Sequence, residues 1–318
     1  MPLIPLQIAM KEVANCDKAA CCRDAQTSIE PECPLSAKSG HSTIFITVIY
    51  STSMTNIKTD GFLSEEAIEG RAVFLERFKD VFAMAEDMNR IAVKKLGEAK
   101  LDSVEDGPFI IYLLTIRIIE SYESVIILME RGMLAPAKLI IRPLLEAMFT
   151  LIALEKDKTL VAKYFDTQDD AHLKMLRAST KWRDEFLKKA FKDAGLEAKF
   201  IKQKEKLKES PPKTLKPFQW AKAADLEDFY DVFYVYYASF THSNLSALED
   251  HIDREADRLE ASFGPSIEGF YGLLRSATAF TLLAVMHMCL AFKLEIDSDA
   301  EKIHEAICHL DEKYNSSD

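Results

Sequence analysis

The feature that most constrains this chain is a pair of adjacent segments that are apolar on nearly every side. The first begins near Pro108 and holds Phe109, Ile110, Ile111, Leu113, Leu114, Ile116, Ile118, Ile119 and Val125 to Met129. The second runs from about Leu134 to Glu155. A helix apolar all round belongs at the centre of a bundle. Arg117, Glu120, Glu123 and their polar neighbours exclude the first segment as a membrane span. Pro108 suits a first helical turn and Gly132 suits a helix end, so a short link joins the two as antiparallel neighbours.

The rest of the chain reads as more helix. Ser64, followed by Glu65 and Glu66, caps a helix predicted to reach Lys100. A charged helix is predicted from Lys158 to about Ala194, with a short continuation from Leu196 to Glu209 ended by Pro211 and Pro212. A loop is predicted from there to about Ala221. An aromatic helix follows over Asp225 to Phe240, where seven of the twelve residues from 229 are Phe or Tyr. A polar loop is predicted over Glu249 to Gly264. Pro265 opens a long helix to about Leu294, and a last helix runs from Asp299 to about Tyr314. The stretch Ser276 to Phe292 is uncharged and sits at the lower length limit for a bilayer span, but it reads as a core helix. The fold class is therefore all-α, a multi-helix bundle of about seven to eight helices. Only 10 glycines and 11 prolines in 318 residues argue against an all-β sandwich with a turn every ten residues.

Residues 1–53 differ in composition. They carry Cys16, Cys21, Cys22 and Cys33, four prolines and no helical period; the only strand-like run is Ile44 to Tyr50. They read as a disordered extension or as translated upstream sequence with Met54 the true start, leaving 54–318 as one helical domain. No export signal is present, because no apolar core follows Lys11. The cysteine spacing lacks the tight pairs of a zinc site. Six cysteines without a framework point to free thiols in a reducing cytosol. The net charge of −11 argues against nucleic acid or anionic membrane as a partner of the whole surface.

Four groups of residues carry candidate chemistry. In the second apolar segment Lys138, Arg142, Glu146 and Thr150 stand four apart and stack on one face. In the first, Arg117, Glu120, Ser121 and Ser124 form another stripe. Burying an unpaired charge is costly, so these residues form either a salt-bridge network that fixes helix register or the lining of one shared pocket. His242 lies at the end of the aromatic helix, with Tyr236, Ser239 and Asn244 within a turn or two; it is either a helix cap or an acid/base group. Glu301 and His304 have di-iron spacing, but only one copy occurs where two are needed, so no metal or cofactor is expected. Residues 181–217 hold twelve basic side chains against six acidic ones. They form either a solvated lysine face or an attractor for RNA or a nucleotide. No phosphate loop, dinucleotide fingerprint or nucleophile elbow occurs.

The run Arg142-Pro143-Leu144-Leu145-Glu146, with Tyr236-Tyr237-Ala238-Ser239-Phe240-Thr241-His242 far downstream, resembles a bacterial family of unknown function. The resemblance covers about residues 105–250 and implies that Arg142, Glu146, Ser239 and His242 share a site. That family is broadly similar to HEPN domains, many of which are metal-independent ribonucleases. Their arginine precedes the histidine on one helix; here the corresponding positions hold Tyr237, Tyr236 and Val235, so Arg142 would have to supply the cation from another helix.

Two functions follow as expectations. The first is a binding or assembly module with an unknown protein partner or self-association. There Arg117, Glu120, Tyr236 and Asn244 line the contact. The second is a phosphodiester-acting enzyme, in which Arg142 stabilises phosphate charge, Glu146 orients Arg142 and His242 moves the proton.

Overall fold

The computed structural model describes residues 60–101, 106–167, 170, 174, 183–196, 201, 214–241, 245–255, 258–261 and 263–315. The expectations for residues 1–53 lie outside them, as does most of the continuation predicted for Leu196 to Glu209. The helices are α1 (Glu65–Arg77), α2 (Lys79–Glu98), α3 (Asp106–Met129), α4 (Leu134–Lys156), α5 (Glu185–Asp193), α6 (Pro217–Ala223), α7 (Glu227–Phe229), α8 (Val235–Ser239), α9 (Leu245–Leu248), α10 (Phe270–Phe292) and α11 (Asp297–Asn315). A short antiparallel hairpin, β1 (Ile252–Glu255) and β2 (Arg258–Ala261), pairs Ile252 with Ala261 and Glu255 with Arg258. The described residues are overwhelmingly helical, with more helical segments than the seven to eight expected.

The additional segments have local causes. The helix predicted from Ser64 to Lys100 breaks at Phe78, whose φ of −113° and ψ of 31° leave the helical region. The break lets the Phe78 ring stack on Phe270 at 3.9 Å, in a cluster with Phe74. Ser64 caps α1 as expected, its hydroxyl accepting from the Ala67 N–H at 3.1 Å. The aromatic helix is divided by a π-helical turn over Tyr230–Tyr234. Phe229 and Phe233 before and within it, with Tyr234 and Tyr237, are all buried. The predicted loop before Ala221 contains α6, because Pro217 starts a helix whose Trp220 and Ala221 are buried. The predicted polar loop Glu249 to Gly264 contains the hairpin. The long helix starts at Phe270 rather than Pro265, after Gly269 at φ 72°.

Three apolar helices form the centre. α3 lies against α4, and both pack on α10; α2 closes over α3 and α10. By length and composition α10 could cross a membrane, but 94% of its most apolar window is buried within the fold. Its polar groups are matched. The Arg275 guanidinium, 2% exposed, donates to both Asp311 oxygens at 2.6 and 2.9 Å and so ties α11 to α10. His287 Nδ1 lies 3.0 Å from Glu155 Oε2 on α4. The Tyr122 hydroxyl of α3 donates to the Ala85 carbonyl of α2 at 3.1 Å and lies 2.8 Å from Thr278 Oγ1 of α10.

The link between α3 and α4 is the tightest point. Gly132 has φ 70°, and a Cβ there would lie 2.5 Å from the Phe74 ring and 2.7 Å from Pro265 Cβ. Its carbonyl also accepts from Ser266 N–H at 3.0 Å. Gly132→Ala combines a left-handed backbone with overpacking, so urea unfolding should show a loss of roughly 2–4 kcal/mol. A loss within about 0.5 kcal/mol, the range of ordinary surface changes, would contradict this packing.

Candidate functional site

The site is built on α4 from a four-residue repeat. Positions four apart lie one above another on a helix. Lys138, Arg142, Glu146 and Thr150 accordingly share the side of α4 that meets the segment from Tyr230 to Thr241. Pro143 stands inside α4 beside Arg142 and contributes no N–H to the helix. Thr150 is buried and returns its hydroxyl to the Glu146 carbonyl at 2.8 Å.

Arg142 is held on three sides. Its Nε donates to Glu146 Oε1 at 3.1 Å, and its Nη1 donates to Thr241 Oγ1 at 2.6 Å. Its Cζ lies 5.4 Å from the centre of the Tyr234 ring, a cation–π distance. The Tyr234 hydroxyl donates to the same Glu146 Oε1 at 2.8 Å. Glu146 thus fixes the base of the guanidinium and the tyrosine whose face it rests on. Thr241 passes its own proton to the Ala238 carbonyl at 2.8 Å, which leaves its oxygen to accept from Arg142. The Tyr230 ring stacks on Tyr234 at 4.7 Å across the π-helical turn. Such turns inside helices are frequent at functional sites.

One turn earlier on α4, Lys138 Nζ donates to Asp250 Oδ1 at 2.6 Å and lies 4.7 Å from the centre of the Phe240 ring. Asp250 Oδ2 is buried and has no hydrogen-bond partner. Two cations and two carboxylates therefore meet where α4 faces the end of α8 and the segment after it.

The guanidinium has five N–H donors. One is given to Glu146 and one to Thr241. The Arg142 side chain is 28% exposed, so part of it reaches solvent. Burial works against its charge, but the bond from Glu146 and the neighbouring Tyr234 outweigh that and hold its pKa above the ordinary value. Arg142 is a permanent cation, fixed at Nε and Nη1 and partly open to solvent.

Arg142 and Glu146 are thus together, and each lies against the segment that leads to His242. His242 itself and Asn244 lie outside the described residues; Thr241, which Arg142 touches, is the residue before His242 in the chain. Ser239 donates to the Tyr236 carbonyl within its own helix at 2.7 Å. Tyr236 is 42% exposed and packs its ring edge-on to Tyr237 and Phe240. Arg117 and Glu120 are exposed on α3, and no hydrogen bond or ion pair joins them to Arg142 or Glu146. The two stripes form no shared polar network among the described residues. Sequence reasoning missed Tyr234, Thr241 and Asp250 as site members. Tyr234 was one aromatic among seven, and only the π-helical turn singles it out. Among the described residues no group of three or more His, Cys, Asp or Glu is placed to hold a metal ion.

Residues 109–259 match a family of unknown function, DUF5677. The span runs from the start of α3 to the second strand of the hairpin. It takes in all of α4, the aromatic segment and Thr241, and overlaps the 105–250 expected. Searches of curated proteins and of solved structures each gave no match.

The Tyr234 hydroxyl is pushed up to about 12, first by burial and then by the Glu146 carboxylate beside it. A group whose proton is held more tightly when folded stabilises the fold fully below its unfolded pKa, near 10, and that contribution is lost as pH rises toward 12. Stability followed by urea unfolding from pH 9 to 12 should therefore fall, and Tyr234→Phe should flatten that fall. An identical pH profile in parent and Tyr234→Phe would show that Tyr234 is not held as described.

Proposed function

We propose that this chain is a helical binding module whose receptor is the partly exposed guanidinium of Arg142, and that it accepts an anionic oxygen group of the phosphate or carboxylate kind. The observation that carries this is the fixed guanidinium: Nε on Glu146, Nη1 on Thr241 and one face on Tyr234, in a side chain that is still 28% exposed. A guanidinium presents paired N–H groups that match two oxygens of a phosphate or carboxylate. Holding it in advance lowers the ordering cost of binding. Lys138, one turn away, adds positive potential.

Glu146 neutralises part of this charge, so isolated phosphate should bind weakly and a larger partner must add contacts of its own. Exposed Tyr236 supports that reading. The lysine-rich segment 181–217 supports it as well: α5, its best-described part, has no buried residue. A phosphate-bearing partner such as a nucleotide or RNA would use both. The phosphodiester-acting alternative needs His242 in addition, and it forms one arm of the test.

The test is thermal unfolding of the full chain in phosphate against chloride at matched ionic strength. Phosphate should raise the midpoint of the parent and leave that of Arg142→Gln unchanged. Equal shifts in the two, or none in the parent, would end the reading. Single-stranded RNA added to the same proteins separates binding from catalysis. Cleavage that Arg142→Gln and His242→Ala both abolish would favour the enzyme; binding without cleavage favours the module.

A further inference from the structure

Among the described residues α3 packs chiefly against α2, α4 and α10, and several residues on its remaining side are exposed. Along that side Leu113, Arg117, Glu120, Ser124 and Ile127 follow one another at steps of four, three, four and three. This is the seam spacing of a helix that packs lengthwise on another helix. Phe109 precedes them by one more turn. Exposed surface should not carry large apolar groups in such a row, yet Phe109, Leu113 and Ile127 are 42%, 46% and 58% exposed. Arg117 and Glu120, at the middle of the row, are both exposed. Among the described residues neither charged head group has an ion-pair or hydrogen-bond partner, although the two stand three apart on one helix.

We infer that this face of α3 is the contact between two copies of the chain, packed antiparallel about a two-fold axis that passes between Arg117 and Glu120. The charge pattern selects this arrangement. Turned about such an axis, Arg117 of each copy lies opposite Glu120 of the other, and two identical ion pairs form at the centre. In the same register Leu113 meets Ser124, and Phe109 comes beside Leu128, which is itself only partly buried. A parallel pairing would set Arg117 against Arg117 and Glu120 against Glu120, and like charges in contact oppose association. The face is one helix wide, below the usual size of a permanent interface, so the dimer is a reversible one. The net charge of −11 on each copy opposes it further, which makes the local match of sign at the seam decisive.

Sedimentation equilibrium of the full chain over a wide concentration range tests the assignment. The parent should show a reversible monomer–dimer equilibrium. Arg117→Glu gathers four acidic groups at the axis and Glu120→Arg gathers four basic ones; each should weaken dimerisation about tenfold or more. The double variant Arg117→Glu/Glu120→Arg rebuilds the pairs with reversed sign and should recover the parent constant within about threefold. Both positions are exposed, and unchanged thermal midpoints of the monomers confirm that the variants fold. A parent that stays monomeric overturns the assignment and gives the face to another occupant, the chain's own N-terminal residues among the candidates. A dimer that survives both single reversals, or a double variant no better than the singles, overturns it too.

Discussion

Three helices in this protein are apolar over most of their surface, and the centre of the fold answers to that. α3, α4 and α10 bury their apolar sides against one another, and the few polar groups caught between them must be matched. Tyr122 reaches Ala85 and Thr278, Arg275 takes both oxygens of Asp311, and His287 meets Glu155. Each bond joins two different helices. A shift of one helix along another would leave a buried donor or carboxylate unmatched, at a cost of about 1–3 kcal/mol or more for a charged group. The apolar contact drives association of the helices, and the polar contacts fix their register.

The Arg142 group departs from this pattern. Arg275, with Asp311 spanning it, is closed off at 2% exposure, whereas the Arg142 side chain is 28% exposed. A residue needed only to fix register would be expected to use its donors inward. The π-helical turn adds to the contrast. It stacks Tyr230 on Tyr234 and sets the Tyr234 hydroxyl on Glu146, so a departure from regular helix geometry is tied to the orientation of one guanidinium.

The centre of the fold was legible in the sequence because it depends on composition along single helices. An apolar run bounded by Pro108 and Gly132 needs no knowledge of its neighbours to be read. The same holds for Lys138, Arg142, Glu146 and Thr150, whose spacing of four forces them onto one side of α4. What was not legible depends on contacts between distant segments. The break at Phe78 exists because Phe270, nearly two hundred residues away, offers a ring to stack on. Tyr234 joins Glu146 across 88 positions and Thr241 joins Arg142 across 99, and no local pattern marks them. The expectation that the α3 stripe would line the same pocket failed to find support for a related reason. Helical spacing tells which residues share a face, but not which neighbour that face will meet.

The receptor depends on an Arg142 guanidinium that is immobilised and partly exposed, and nitrogen-15 NMR of the arginine side chains measures its immobilisation directly. Arg142 should show slowed rotation about its Nε–Cζ bond, with its Nη groups resolved as separate signals and its Nε proton slow to exchange. A single averaged Nη signal and fast exchange, as for a side chain free in water, would mean that Glu146, Thr241 and Tyr234 do not hold it, and the receptor described here would not exist.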